Sequence, residues 1–294
     1  MNDISSAPFF SIIVLSYNSG ATIRDTLDSI SRQLFVDYEV LICDDGSSDG
    51  SCLISREWMA ENPQIKAIPI FSETNQGVVR NVNKGYKAAR GKWVKPIAAD
   101  DLLDQECLLK FSRLHDQSCD VIFSKCLIFG RGEGSVLEWP HRLPLMGANE
   151  LYNAILRGNT LPAPGSFLKR EFLIKIGFAD ESYKMLDDWP MWVASLKGGA
   201  KFGFLDCLLV KYRVSNDSVS AKGKKFIPKL LRDDLVIFFR AERLLLRKPF
   251  LAIFSALELF CWIINERAFS SDKNSWRIFK KIFKIISFGS YRTI

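Results

Sequence analysis

Several acids in this chain stand where chemistry could be done. Val40 to Gly50 reads VLICDDGSSDG, which puts Asp44, Asp45 and Asp49 at the end of an apolar run. Asp100-Asp101 close another such run, and Ser16-Tyr17-Asn18 close the first. Gathered carboxylates repel one another, so each group needs a cation or a dense set of hydrogen-bond donors. Carboxylates of this kind can hold a divalent metal or take a proton from a poor nucleophile. Turns and helix caps use the same residue types, and that accounts for any one cluster alone. Three clusters at the carboxyl edge of one sheet point instead to a ligand, because open α/β sheets bind their ligands there.

Two familiar sites can be set aside. From Asp45, the residues Ser47, Asp49 and Gly50 match the first half of a calcium loop, but the position that needs a bidentate Glu is Arg56. A strand also precedes that loop where a helix should. No GxxxxGK[ST] occurs, and no GxGxxG follows a strand.

The elements that must position these residues read as an α/β domain. Residues 9–15 (FFSIIVL) form a continuous apolar run, as in a strand buried on both faces. Ile23, Leu27, Ile30 and Leu34 then recur at helical spacing, and residues 39–43 make the next strand. Strand, helix and strand of this length predict a parallel βαβ unit. The alternation continues with helix 53–60, strand 66–71, helix 78–89, strand 93–97, helix 102–115 and strand 121–124. Pro69 marks strand 66–71 as an edge or irregular strand. Residues 129–161 are rich in Gly and Pro and show little periodicity. Helices are expected at 168–176 and 189–197, and short strands at 202–205 and 208–213. His115 falls in a helix and reads as a surface residue.

Composition agrees with a folded domain that has a basic end. The 294 residues are 48% hydrophobic and 25% charged, which supports a sizeable core. Residues 222–294 hold 16 basic against 6 acidic residues, a net of +10, whereas residues 1–221 carry −3. That imbalance points to a localised anionic partner. The seven cysteines show no CxxC or metal-type spacing, as expected of free thiols in a reducing compartment. No signal peptide is evident at the N-terminus. The apolar stretch 250–264 includes Glu258 and is shorter than the roughly 20 residues a spanning helix needs.

Taken in order, the motifs resemble a known family. They are Ser16-Tyr17-Asn18, Asp44-Asp45-Gly46-Ser47-Ser48-Asp49, Asn75-Gln76-Gly77 with Arg80-Asn81, and Asp100-Asp101. Leu186-Asp187-Asp188-Trp189 with Trp192 follows, then Tyr212-Arg213-Val214-Ser215 through Ser218-Val219-Ser220. Across residues 9–220 this resembles the inverting family-2 glycosyltransferases of bacterial polysaccharide and O-antigen assembly. The resemblance implies the GT-A fold, a mixed sheet flanked by helices. It implies a catalytic domain over residues 1–221, with a nucleotide-binding half at about 9–125 and an acceptor half at about 126–221. A basic helical tail, 222–294, would follow.

The resemblance also implies residue roles. Tyr17 would lie against the base, near the backbone of Leu15 and Ser16. Asp45 would accept the base's imide N–H, and Arg80 would face the diphosphate. Asp100 would bind ribose or metal, and Asp101 would ligate Mg²⁺ or Mn²⁺. Asp188 would be the general base, with Asp187 the less favoured candidate. Asp44 and Asp49 would hold the turn. Two departures stand out: Ala98 occupies the first position of the usual Asp-x-Asp-Asp, and Ser215 replaces a common His. They keep open a catalytically silent, scaffolding member. A hydrolase with paired carboxylates and a polyanion-binding protein are further alternatives.

The tail suggests where such an enzyme works. In residues 276–286, Ile278, Ile282, Ile285 and Ile286 share one helical face, flanked by Lys280, Lys281 and Lys284. That pattern suits an anionic membrane surface better than nucleic acid. The expected protein is cytoplasmic and peripheral on the inner face of the bacterial inner membrane. Its partners would be a UDP- or dTDP-sugar donor and a polyprenyl-diphosphate-linked glycan acceptor.

Overall fold

Four mainly apolar runs build the centre of the fold. β1 (Phe10–Ser16), β2 (Tyr38–Asp44), β3 (Lys66–Phe71) and β4 (Trp93–Ala98) lie parallel in the order β3-β2-β1-β4. The helices α1 (Ile23–Ser31), α2 (Ser51–Glu61) and α3 (Val78–Ala88) make the crossovers between them. This computed structural model describes residues 7–130, 134–214, 233–235 and 237–238. Pro69 sits where its missing N–H does least harm, in the edge strand β3.

Beyond β4 the sheet becomes mixed, and the sequence expectations need correcting. Residues 102–103 do not begin a helix. Leu102–Leu103 is a short strand, β5, and α4 runs only over Cys107–Leu114. Thr26 Oγ1 donates to the Asp101 carbonyl at 2.8 Å and Leu103 N–H donates to Ser29 Oγ at 3.1 Å, which holds this stretch extended. β6 (Val121–Gly130) is longer than expected, and β7 (Val136–Leu137) pairs with it. The Gly- and Pro-rich middle yields α5, Ala148–Arg157.

β8 (Ser166–Lys169) precedes α6 (Arg170–Ile176), so Leu168 is in a strand, not a helix. It lies antiparallel between β4 and β6, and two available partners outweigh a weak helical period. After α7 (Trp189–Lys197), a single strand β9 spans Phe202–Val214. The expected break within it is a bulge: Ser124 opposes Leu205, whereas Lys125 opposes Leu208. The full order is β3-β2-β1-β4-β8-β6-β9-β5, with β6 and β9 parallel and β5 antiparallel to β9.

The core contains an aromatic cluster. Phe111 stacks on Phe167 with centroids 4.0 Å apart, and Phe10 and Trp93 meet Phe111 edge-on. His115 joins this cluster, and the surface reading of it is wrong. Its ring stacks on Phe111 at 5.0 Å and its Nδ1 lies 2.8 Å from the Phe111 carbonyl, at the C-terminus of α4. Lys95 on β4 is fully buried, and Nζ donates to the carbonyls of Pro96 (2.7 Å) and Pro164 (2.6 Å). Burial holds its ammonium below the ordinary lysine range.

By its contacts the chain divides into Met1–Asp234 and Leu235–Ile294. Within the second unit the described residues 235, 237 and 238 are helical. The amphipathic segments 250–264 and 276–286, and Ser215, lie outside the described residues. Among the described residues no helix is long and apolar enough to cross a membrane.

Candidate active site

The loops after β1 and β2 are stitched together by the acids that close β2. Asp44 is fully buried and accepts from the hydroxyls of Ser16 and Ser47, each at 2.7 Å, and from Ser47 N–H at 2.8 Å. Burial alone would raise its carboxyl, but these donors outweigh burial and hold it below the ordinary carboxylate range. Asp49 accepts Gly20 N–H at 2.7 Å and Ser51 N–H at 3.2 Å, so it joins the α1 entry to the start of α2. Asn18, at a φ of 50°, donates to Ser47 Oγ and accepts Ser48 N–H. Asp44 and Asp49 thus hold the turn, as expected.

Asp45 faces the other way. It is 3% exposed, and Gln76 N–H donates to both its oxygens at 3.0 and 3.1 Å. Gly77 N–H adds a third bond at 2.8 Å. Asp45 therefore braces the loop that enters α3, and Oδ1, with one donor, can accept another. Gly46 makes this loop possible. Its φ is +77°, and a Cβ there would lie 2.7 Å from the Thr74 carbonyl carbon.

A cleft of about 700 Å³ opens beside these loops. Leu15, Ser16, Tyr17, Asp45 and Arg80, all singled out from sequence, line it together with Asn75, Gln76 and Gly77. Glu181, Tyr183, Lys184 and Met185 also line it. Tyr17 is 51% exposed, which leaves its ring free for a planar ligand. Arg80 pairs with Glu181 at 3.7 Å.

Asp100 and Asp101 are not part of that lining. They follow β4, the strand beside β1, where Ala99 N–H donates to the Leu15 carbonyl at 2.9 Å. Asp101 is 1% exposed, and its Oδ1 accepts Arg213 N–H at 2.8 Å. The Arg213 side chain donates through Nε to the Asp100 carbonyl at 2.8 Å and reaches Asp25 at 3.2 Å. Burial raises both carboxyls. Asp101, which also faces the charge of Asp100, is pushed up to about 7. Two adjacent hard oxygen donors held at this cost fit a divalent cation. Asp100 is the more accessible of the two. Among the described residues no group of three metal-ligating side chains forms, so other oxygens would have to complete the coordination.

Asp187 and Asp188 lead into α7. Asp188 caps that helix by accepting Trp189 N–H at 2.7 Å through Oδ1. Asn159 Nδ2 donates to its other oxygen at 2.6 Å. Burial raises both carboxyls, and Asp187 also feels the charge of Asp188. The donors from Asn159 and Trp189 work against that rise at Asp188. Asn159 escaped the sequence reading because it lies in the Gly- and Pro-rich middle. Asp234, described below, escaped because it stands in the basic tail.

The family model described as glycosyl transferase family 2 matches residues 11–177, more than half of the chain. The chain belongs to glycosyl transferase family 2. It is 30% identical over 223 residues to the hyaluronan synthase of Pasteurella multocida, covering 74% of this chain and 22% of that protein. It is 27% identical over 157 residues to the chondroitin synthase of Escherichia coli, covering 52% of this chain and 22% of that protein. The chain thus spans about a fifth of the length of these two family-2 relatives.

The family fold is also seen in solved structures. Staphylococcus aureus TarS 1–349 in complex with UDP-GlcNAc superposes with a TM-score of 0.61 at 21% identity, over 78% of this chain and 65% of TarS. The mannosyltransferase PcManGT of Pyrobaculum calidifontis, in complex with GDP-Man and Mn²⁺, gives 0.58 at 17% identity, over 98% of this chain and 84% of that one. The family-2 chain therefore has the GT-A architecture its motifs implied: a mixed sheet flanked by helices.

Proposed function

We propose that this protein is an inverting glycosyltransferase that moves a sugar from a UDP- or dTDP-sugar to a hydroxyl of a lipid-linked glycan. The observation that carries this reading is the cleft. Five residues implied for nucleotide binding line it, and the segment holding Glu181, Tyr183, Lys184 and Met185, which also lines it, runs on within a few residues to Asp187-Asp188. A donor seated there would have its base on Tyr17 and Asp45, with Arg80 turned from Glu181 toward the diphosphate.

Asp188 would accept the proton of the acceptor hydroxyl as the new C–O bond forms and the bond to the diphosphate breaks. A single displacement of this kind inverts the anomeric centre. Asp100 and Asp101 would hold Mg²⁺ or Mn²⁺, which when bound neutralises charge on the leaving diphosphate. Mn²⁺ in the mannosyltransferase structure supports a metal of this kind.

The acceptor class is read from relatives and charge. The chondroitin and hyaluronan synthases are named for polysaccharides, which supports a role in O-antigen or capsule assembly. The net +10 of residues 222–294 supports peripheral binding to the anionic inner face of a bacterial inner membrane, where a polyprenyl-diphosphate carrier would present the glycan. Ala98, exposed at the end of β4, favours the second reading, a silent scaffolding subunit. Thermal melts with a panel of nucleotides decide between the two. The transferase reading expects stabilisation by UDP or dTDP that requires Mn²⁺ or Mg²⁺, and turnover of a matching nucleotide sugar. Absence of metal-dependent stabilisation by every nucleotide would remove it.

A further inference from the structure

Asp234 lies well beyond the family match and is the last residue of the first unit, yet it is only 2% exposed. Its Oδ2 accepts three consecutive backbone N–H groups: Lys184 at 2.9 Å, Met185 at 2.6 Å and Leu186 at 3.0 Å. Successive amides converging on one point form an anion-binding nest. Here the chain's own carboxylate fills it.

The strap that Asp234 grips has no regular structure to hold it. Residues 181–188 belong to no helix or strand, so tie points must set their path. One end of the strap borders the cleft. There Glu181 meets Arg80 at 3.7 Å and Lys87 at 3.2 Å, and the Lys184 carbonyl oxygen lies 2.9 Å from where a Cβ on Gly77 would stand. The other end is Asp187-Asp188. A shift of the strap would therefore move the cleft wall and the candidate base together.

We infer that Asp234 is a positioning residue, which fixes residues 184–186 and through them the placement of Asp188 against the donor cleft. This rests on the reading of Asp188 as the base. Charge is part of the design. A carboxylate can accept three amides on one oxygen, whereas an asparagine in the same shape turns a weaker acceptor toward them.

The test compares full-length wild type with Asp234→Asn, Asp234→Glu and the exposed neighbour Asp233→Asn. Backbone amide exchange needs no ligand. In Asp234→Asn the amides of 184–186 are expected to exchange at least tenfold faster, while those of β1 and β2 keep their rates. With metal and donor, kcat is expected to fall tenfold or more, and UDP affinity to weaken with it, because Lys184 and Met185 also line the cleft. Asp234→Glu should recover part of the kcat, and Asp233→Asn should match wild type. Unchanged exchange at 184–186, or an unchanged kcat in Asp234→Asn, overturns the inference. If Asp234→Asn does not fold, the same two measurements on Asp234→Glu decide it. A wild-type chain that turns over no donor would count against the transferase reading, and the exchange result alone would then decide the role of Asp234.

Discussion

Asn159 donates its side-chain amide to Asp188 at 2.6 Å, from the stretch that links α5 to β8. With Trp189 N–H on the other oxygen, the Asp188 carboxylate has two fixed donors and a defined orientation. Asp187, beside it, is raised by burial and by the charge of its neighbour. The pair is thereby unequal in its hydrogen bonding, which favours Asp188 in the proposed role of base.

Asp188→Asn is expected to lower kcat by about 10² to 10⁴, the usual worth of a positioned general base. Asp187→Asn should lower it less. Steady-state kinetics with a turned-over donor check this, and equal losses would shift the role to the pair as a whole.

The pH profile carries a sign. Burial lifts the folded carboxyl of Asp188 above the ordinary value of about 3.9. A base must be ionised to act, so activity should rise with pH through that raised value and be lost below it. Removing a donor that favours the charged form raises the value further. Asn159→Ala should therefore move the acid limb of kcat to higher pH, and an unmoved limb would deny Asn159 this influence. The same raised carboxyls should make the ligand-free fold less stable as pH climbs from about 3.9 toward the folded values.

Metal and nucleotide should act together. At a nucleotide concentration 100 times its Kd, the expected stabilisation is about 2.7 kcal/mol. Asp101→Ala should abolish it even with Mn²⁺ present. Arg213→Ala, which loses the bond to the Asp100 carbonyl, should weaken it without abolishing it. Melting curves with and without chelator make the comparison.

Gly77→Ala separates strain from collision. Gly77 has φ +94°, and its added Cβ would meet the Lys184 carbonyl oxygen at 2.9 Å, whereas Gly134 has φ +86° and nothing within 4 Å. Alanine at Gly134 should cost about 1–2 kcal/mol through backbone conformation alone. Alanine at Gly77 should cost more in denaturant unfolding and should also weaken UDP binding, because the strap must move.

The full chain should sediment with vesicles containing anionic phospholipid and not with neutral ones, and added salt should release it. Equal binding to both would remove electrostatics as the cause.

The half of the sheet from β1 to β4 was legible in the sequence because its signals are local. Each strand from β1 to β4 is an apolar run closed by a polar cluster, and each crossover helix carries its own periodicity. Elements whose identity depends on distant partners were not legible. Leu102 is extended because Lys211 lies opposite, and Leu168 because Val94 and Val121 flank it. Asn159 and Asp234 act through bonds to residues 29 to 50 positions away, and no short motif surrounds either one.

The pairing of β6 with β9 has a consequence for assembly during synthesis. The first 98 residues contain every partner that β1, β2, β3 and β4 need from one another, and they can associate early. Asp101 gains its Arg213 amide only when β9 arrives, and the strap at 184–186 gains Asp234 later still. Contacts of such long sequence separation form slowly. A nascent chain would therefore hold the loops after β1 and β2 before it holds either the rest of the cleft or Asp188, so the proposed donor site and base would be completed together, late in synthesis.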